Sequence, residues 1–467
     1  MTRADPRLRL AVLGGKATAW ASRSLGMGGG TTLPGDVARA IDPRILRKLG
    51  ASPRLGIILV TGTNGKTTTS ALLRQIAAAA GWRTGGNQSG SNLIYGLTAA
   101  TVAQADLRGR MELDWLVLEV DELSAALAAG ELRPGILVVL NAFRDQLDRS
   151  FEVDQVAARL GEAVAAHPEG AVAVLNSDDP RIAALEGGPN ASHFGIEDRE
   201  LDRGGLPESA DRPVCPRCGG SLRFDAVYYG QCGDYHCPAC GWSRPSPAVR
   251  VTRLLTAGLD HMELNLAGPG GGAGPLPVPL AGAHNAANVA AAAAAALAMG
   301  ASWEQIRRGL EEFRPAFGRS QVVPWRQSQV RLLLAKNPAG MEASLETVLG
   351  AGSGPVLGLA LNDGIADGTD ISWIWDVEFE RLASGGPRWV VLSGRRAAEL
   401  ELRLRYAGLD GSRLLLRPGA EEALDELAAR AAPGLPAPAL LTYTAMLAWH
   451  RAVVGTGGAQ PFWTEGG

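Results

Sequence analysis

GIILVTGTNGKTTTSALLRQIAAAA, residues 56–80, is the stretch that decides the fold. An apolar run ends at a glycine turn, and the turn opens directly into a helix-patterned segment. Gly62 and Gly65 allow the tight bend that lets successive backbone N–H groups and the positive end of the following helix face a polyphosphate. Lys66 adds a point charge for the outer phosphates, and Thr67 offers a hydroxyl to a magnesium ion. Val60 stands where the general phosphate-loop pattern has its first glycine. A cluster of Gly, Lys and Thr also occurs in ordinary turns; its placement between a strand and a helix is what marks this one.

The flanking sequence repeats the same alternation. DWLVLEVDE (114–122) reads as a buried strand whose acids Glu119, Asp121 and Glu122 fall where the strand runs out. Ligands of open α/β sheets collect at that edge, so acids there suit magnesium, a hard cation that takes oxygen ligands. A solvated charge cluster has the same composition. GILVVLN (135–141) and AVAVLNSDDP (171–180) are further buried strands, and each strand is followed by a helical pattern, which predicts a mainly parallel, doubly wound sheet. GGNQSGSNLIYG (85–96) is too polar for a strand and is expected to be a loop lining the cleft. Residues 1–50 read as a helical segment, broken at Leu33-Pro34-Gly35 before a second helical stretch over 37–49.

Composition bounds the function. With 467 residues the chain has room for two or three domains, and 46% hydrophobic with 20% charged residues is ordinary for a soluble globular enzyme. A formal net charge of −3 without a long Lys/Arg run carries no electrostatic footprint for nucleic acid. No window approaches the apolar length of a membrane span. The N-terminal stretch has a basic start and a short apolar patch, but Arg9, Lys16 and Arg23 interrupt any signal-peptide core, so a cytoplasmic location is expected.

Cys215/Cys218 and Cys237/Cys240 form two CxxC pairs, each in a CPxCG knuckle, with residues 219–236 between them. This spacing puts four thiolates around one tetrahedral zinc, and a four-cysteine site has no open position, so it is structural. Cys232 and His236 read as packing or surface residues. GAHNAANVAAAAAAALAMG (282–300) begins a long alanine helix with His284, Asn285 and Asn288 at its mouth, where caps are common. Beyond FGRS (317–320), alternating strands and helices predict a second α/β domain. Its densest constellation is LNDGIADGTDISWIWD, with Asp363, Asp367, Asp370 and Asp376: acids there are commonly turn formers, and exposed Trp373 and Trp375 would suit a partner surface.

TGTNGKTTT, LEVDE, NAFRDQLDR, LNSDDP, AGAHNAANV, FGRS and AKNPAG, in this order, resemble the Mur ligase superfamily. The cysteine insert and ADGTDISWIWD narrow the resemblance to the MurT-type subunits of lipid II isoglutaminyl synthase, over nearly the whole chain. The fold this implies is a Mur ligase-like central ATPase domain (51–318) behind the helical segment 1–50, a zinc-ribbon insert (212–245), and a C-terminal Rossmann-like α/β domain (319–467) contacting a glutaminase. The resemblance further implies that Asn64, Gly65, Lys66, Thr67 and Thr68 hold ATP phosphates. Thr67 and Glu119 would bind magnesium, and Asn285 and Arg319 would contact the nucleotide, with Asn288 a weaker candidate. Gln146 replaces the histidine of a DHLD-like motif, and Leu333 and Lys336 replace the polar ends of a DYAHNP-like motif. These departures speak against an amino-acid acceptor site and fit ammonia as nucleophile.

Amidation needs ATP because a carboxylate is a poor electrophile until its oxygen becomes a leaving group. The resemblance supplies the rest: the α-carboxylate of D-glutamate in the lipid II stem peptide passes through an acyl phosphate to D-isoglutamine. Ammonia would come from a GatD-type glutaminase, whose Cys and His Asp370 would complete as a triad. Lipid II places the enzyme peripherally at the inner face of the plasma membrane. An amino-acid-adding Mur ligase, a folylpolyglutamate synthase-like ligase and a non-catalytic nucleotide-binding scaffold are the alternatives.

Overall fold

The computed structural model describes residues 5–24, 32–87, 90–144, 153–207, 210, 213–257, 259–314, 319–352 and 354–458. A nine-stranded sheet is built from β1 (Gly56–Thr61), β2 (Thr84–Gly86), β3 (Trp115–Glu119), β4 (Ile136–Val139), β5 (Val172–Asn176), β6 (Ser192–Ile196), β9 (Val249–Ala257), β10 (Met262–Gly268) and β11 (Gly271–Val278). Its order is β11-β10-β9-β6-β5-β4-β1-β3-β2, parallel from β2 to β9 and closed by the antiparallel β9-β10-β11 meander. Strand β1 lies between β3 and β4, so the chain order reverses there. That switch point opens a crevice beyond the carboxyl ends of the strands, where ligands of such sheets bind.

Helices cover both faces. On one side pack α4 (Lys66–Ala79), α9 (Ala283–Met299) and α10 (Trp303–Glu311). Alanine lets α9 lie close to the sheet; its residues Ala286–Ala296 are almost all buried. On the other side, α1 (Pro6–Ser24), α2 (Leu33–Ile41), α3 (Ile45–Gly50), α5 (Ile94–Gln104), α6 (Ala125–Leu132), α7 (Val153–Ala166) and α8 (Pro180–Ala183) share one core with β1, β3, β4 and β5. The N-terminal helices therefore help cover the sheet. Two local expectations are corrected. Leu33-Pro34-Gly35 starts α2, because proline in the first helical turn has no N–H to leave unpaired. Gly85 and Gly86 form the edge strand β2, paired with Leu116 and Val117, where a loop was expected.

The cysteine insert is a separate hairpin, β7 (Arg223–Tyr229) against β8 (Cys232–His236). The C-terminal sheet has six strands: β12 (Arg319–Trp325), β13 (Ser328–Leu334), β14 (Val356–Ala360), β15 (Trp389–Ser393), β16 (Leu414–Leu416) and β17 (Ala437–Leu441). The order is β12-β13-β17-β14-β15-β16, parallel except for the β12-β13 hairpin. It is wrapped by α11 (Pro338–Gly350), α12 (Glu380–Gly385), α13 (Ala397–Tyr406), α14 (Ala420–Arg430) and α15 (Tyr443–Gly455). No helix among the described residues is long and apolar enough to cross a membrane.

Candidate active site

The turn after β1 has Gly62 at φ 126° and Gly65 at φ 91°, a left-handed backbone that side-chain-bearing residues rarely adopt. Both glycines are also sterically required. A Cβ on Gly62 would stand 2.9 Å from the Asn141 amide nitrogen, and one on Gly65 would stand 2.2 Å from Asn288 Oδ1. Lys66 opens α4 and is buried, its Nζ donating to the Gly62 carbonyl, to the Thr63 carbonyl at 3.1 Å and to Glu122 Oε2 at 3.0 Å. A charge taken out of water needs such partners. Thr67 is half-buried beside it, and Thr68 is buried.

Acids converge on the same edge. The register places Glu119 beside Val60, one residue before the end of β1. Asn87 holds the Glu119 backbone from both sides, accepting its N–H and donating to its carbonyl, each at 2.9 Å. Burial, and then the neighbouring Glu122, push the Asp121 carboxyl up, against Lys66 and Lys336. Lys336 thus brings a second ammonium to this edge from the C-terminal sheet. Among the described residues, the one group of three or more metal-ligating side chains close enough to share an ion is the cysteine group. A magnesium ion keeps waters and phosphate oxygens among its ligands, so it asks a protein for only one or two oxygen donors such as a carboxylate.

Asn64 joins the loop to the rest of the molecule. Its N–H donates to Asn141 Oδ1 at 2.9 Å, Asn141 Nδ2 returns a bond to its carbonyl at 3.1 Å, and Asn337 Nδ2 donates to its Oδ1 at 3.1 Å. Asn337 is the N-cap of α11, its Oδ1 accepting the Gly340 N–H at 2.8 Å. This residue was missed; its signal was Asn-Pro at a helix start.

The asparagines of α9 do not cap it. Gly282 holds the cap position without a side-chain bond, and Asn285 Nδ2 donates to the Ala281 carbonyl while its Oδ1 accepts from Asn288 Nδ2. Asn288, the weaker candidate, is the one lying against Gly65. Gln146 and the side chain of Arg319 lie outside the described residues.

In the insert, the four sulfurs of Cys215, Cys218, Cys237 and Cys240 lie within 4.8 Å of one another. Each knuckle closes on backbone bonds, Gly219 N–H to the Cys215 carbonyl and Gly241 N–H to the Cys237 carbonyl. The Cys240 N–H helps bring the Cys237 thiol down to about 7, while hydrogen bonds shared among the sulfurs raise its neighbours Cys218 and Cys240. The donor set fits a soft or borderline metal ion. His236 pairs with Asp225 at 2.9 Å on the surface, while Cys232 is buried and its thiol pushed well up by burial. The hairpin sits on the ends of β4 and β5: Arg244 binds Asp178 at 2.6 Å, Tyr235 Oη donates to the Ser177 carbonyl, and Gln231 Nε2 donates to the Ala142 carbonyl at 2.7 Å. Next to Ala142, the Phe143 N–H donates to Thr63 Oγ1 at 3.1 Å, so the insert abuts the loop that supports the phosphate turn.

The four C-terminal acids separate by environment. Asp363 pairs with Arg395, Asp376 bridges to Arg144 at 3.2 Å, and Asp367 is buried, accepting from the Thr444 N–H and hydroxyl. Asp370 makes no ion pair among the described residues; its Oδ1 accepts the Ser372 N–H at 2.8 Å. Trp373 is 2% exposed and belongs to the core, so of the two tryptophans Trp375 alone is exposed, edge-on to Tyr406.

The "Mur ligase middle domain" family matches residues 60–211 and the "MurT ligase C-terminal" family residues 334–446. A lipid II isoglutaminyl synthase (glutamine-hydrolyzing) subunit MurT of Staphylococcus aureus is 34% identical, covering 84% of this chain and 86% of its own. The chain belongs to the MurT family. The MurT subunit of Streptococcus pneumoniae is 31% identical over 95% of this chain and 96% of its own. Among solved structures, a pseudomurein peptide ligase type C from Methanothermus fervidus superposes with a TM-score of 0.65 at 20% identity, covering 88% of this chain and 80% of that one, and shares the fold.

Proposed function

We infer that this chain is the synthetase subunit of a lipid II isoglutaminyl synthase, an ATP-dependent carbon–nitrogen ligase that amidates the D-glutamate α-carboxylate of the stem peptide. The observation that carries this is a phosphate loop at the β1 switch point, with Lys66 poised on Glu122 and Asn64 bonded to the second domain, in a chain of the MurT family. Membership of that family favours amidation over the amino-acid-adding and scaffold alternatives.

In this reading Asn64 to Thr68 hold the ATP phosphates, Gly65 to Thr68 through backbone N–H groups while the Asn64 N–H stays on Asn141 and fixes the turn, and Lys66 swings from the Gly62 and Thr63 carbonyls onto the outer phosphates. Thr67 and Glu119 would hold magnesium, which supplies charge neutralisation at the transferring phosphoryl group. Asn285, Asn288 and Arg319 serve the nucleotide. The substrate carboxylate attacks the γ-phosphorus, ADP leaves, ammonia adds to the acyl phosphate carbon, and phosphate departs with the bonding pair and takes up the proton that the nitrogen sheds. Catalysis is positioning and electrostatics.

The nucleophile that releases ammonia belongs to a GatD-type glutaminase partner. Four of this chain's cysteines lie together as a metal-ligand group, and the fifth, Cys232, is buried and held as a thiol. Asp370, the loop acid without an ion pair among the described residues, orients the partner's histidine, as third members of triads do. The enzyme works in the cytoplasm against the inner membrane surface, where lipid II is.

The decisive experiment supplies this chain alone with lipid II, ATP and either ammonium or glutamine. Product from ammonium only is expected, with glutamine use restored by the glutaminase. Turnover with an amino acid in place of ammonium would replace this reading by an amino-acid-adding ligase.

A further inference from the structure

Helix α1 has two faces of opposite use. Leu8, Ala11, Val12, Gly15 and Ser22 are buried. The contact is close, since a Cβ on Gly15 would stand 2.9 Å from Val102 of α5 and 3.3 Å from Ala38 of α2. The outer face should then be polar. Instead Leu10 is 59%, Leu13 53% and Trp20 69% exposed, and with Ala17 they recur at helical spacing as one apolar stripe.

Beside the stripe runs a row of cations. Arg9, Lys16 and Arg23 follow one another every seventh residue, two turns apart, and the helix holds no acidic residue at all. Lys16 reaches back to the Ala103 carbonyl of α5, and neither Arg9 nor Arg23 pairs with an acid among the described residues. A protein partner would be expected to bring matching acids in a fixed pattern. A bilayer needs only an apolar stripe with an aromatic anchor and a flanking row of positive charge.

We propose that the outer face of α1 docks on an anionic lipid surface, with Leu10, Leu13 and Trp20 entering the interface and Arg9 and Arg23 facing the headgroups. The proposal rests on the lipid-linked substrate reading for its purpose, but its physical basis is the helix alone. Docking through α1 would hold the chain at the membrane surface without a spanning segment.

The test is flotation of the full-length chain with phosphatidylcholine vesicles and with vesicles also containing phosphatidylglycerol, without lipid II or nucleotide. Binding to the anionic vesicles alone is expected, weakening with salt. Arg9→Gln with Arg23→Gln should lower partitioning by about fivefold per charge removed, and Leu13→Gln with Trp20→Gln should abolish it. Leu435→Gln, an equally exposed position elsewhere, should leave it unchanged. Melting curves of all variants establish that they fold. Failure of the wild-type chain to float, or equal flotation of the α1 variants, overturns the proposal. So does a loss of self-association or glutaminase binding in Leu13→Gln/Trp20→Gln, seen by light scattering, with no vesicle binding to lose. Because the assay contains no substrate, its failure leaves amidation of a water-soluble precursor standing, and failure of amidation leaves flotation interpretable.

Discussion

Asn64 in the phosphate loop and Asn337 at the head of α11, 273 residues apart in sequence, exchange side-chain amide hydrogen bonds at 3.1 and 3.4 Å. The pair ties the nucleotide turn to the C-terminal domain at the residue that also caps α11. Asn337→Ala is expected to cost about 1 kcal/mol through the cap. It should also raise KM for ATP more than KM for ammonium by freeing Asn64. Steady-state kinetics and melting of the variant check both, and an unchanged ATP KM would reduce Asn337 to a cap.

Lys66→Ala removes the one loop cation and strands Glu122, which is buried. Ammonium-driven amidation should fall by about a thousandfold or more, as losing a preorganised charge at phosphoryl transfer does. Metal content of the four-cysteine group, measured by atomic absorption, should not change. Retained turnover would move the phosphate site elsewhere.

Asp370→Asn separates the two half-reactions. In complex with the glutaminase, glutamine-dependent amidation should drop by at least about a hundredfold, while ammonium-dependent amidation stays at the wild-type rate. Equal loss of both would place Asp370 at the ligase centre.

Cys215→Ser takes one thiolate from the group that pins Tyr235 and Trp242. Bound metal should fall and the insert should become protease-sensitive, because metal affinity and folding are coupled in such modules. Gln231→Ala should keep the metal and yet raise KM for ATP, since its bond to the Ala142 carbonyl braces the segment that meets Thr63. An unaltered ATP KM would leave the insert without influence on the turn.

Burial pushes the Asp178 carboxyl up to about 6 even with Arg244 beside it. Its folded value lies above the unfolded 3.8, so the stability it contributes is fully present below 3.8 and is lost as pH rises toward 6. Wild type should therefore lose stability relative to Asp178→Asn between pH 4 and pH 6.5. Denaturant titration of both proteins reads this, and a wild type that gains on the variant as pH rises would show a carboxylate stabilised by Arg244.

The sequence by itself determined the phosphate turn, the four-cysteine group and the two α/β units, because each is written in consecutive residues with a period, a turn or a ligand spacing. Only the tertiary structure decided which groups meet: Lys66 with Glu122, Asn64 with Asn337, Gln231 with Ala142, and Asp370 left as the loop acid without an ion pair among the described residues. It also buried Trp373, made a strand of Gly85 and Gly86 by pairing them with β3, and turned the apolar stripe of α1 outward. These outcomes depend on side chains far apart in sequence competing for the same space and the same hydrogen bonds, and no local pattern records the result.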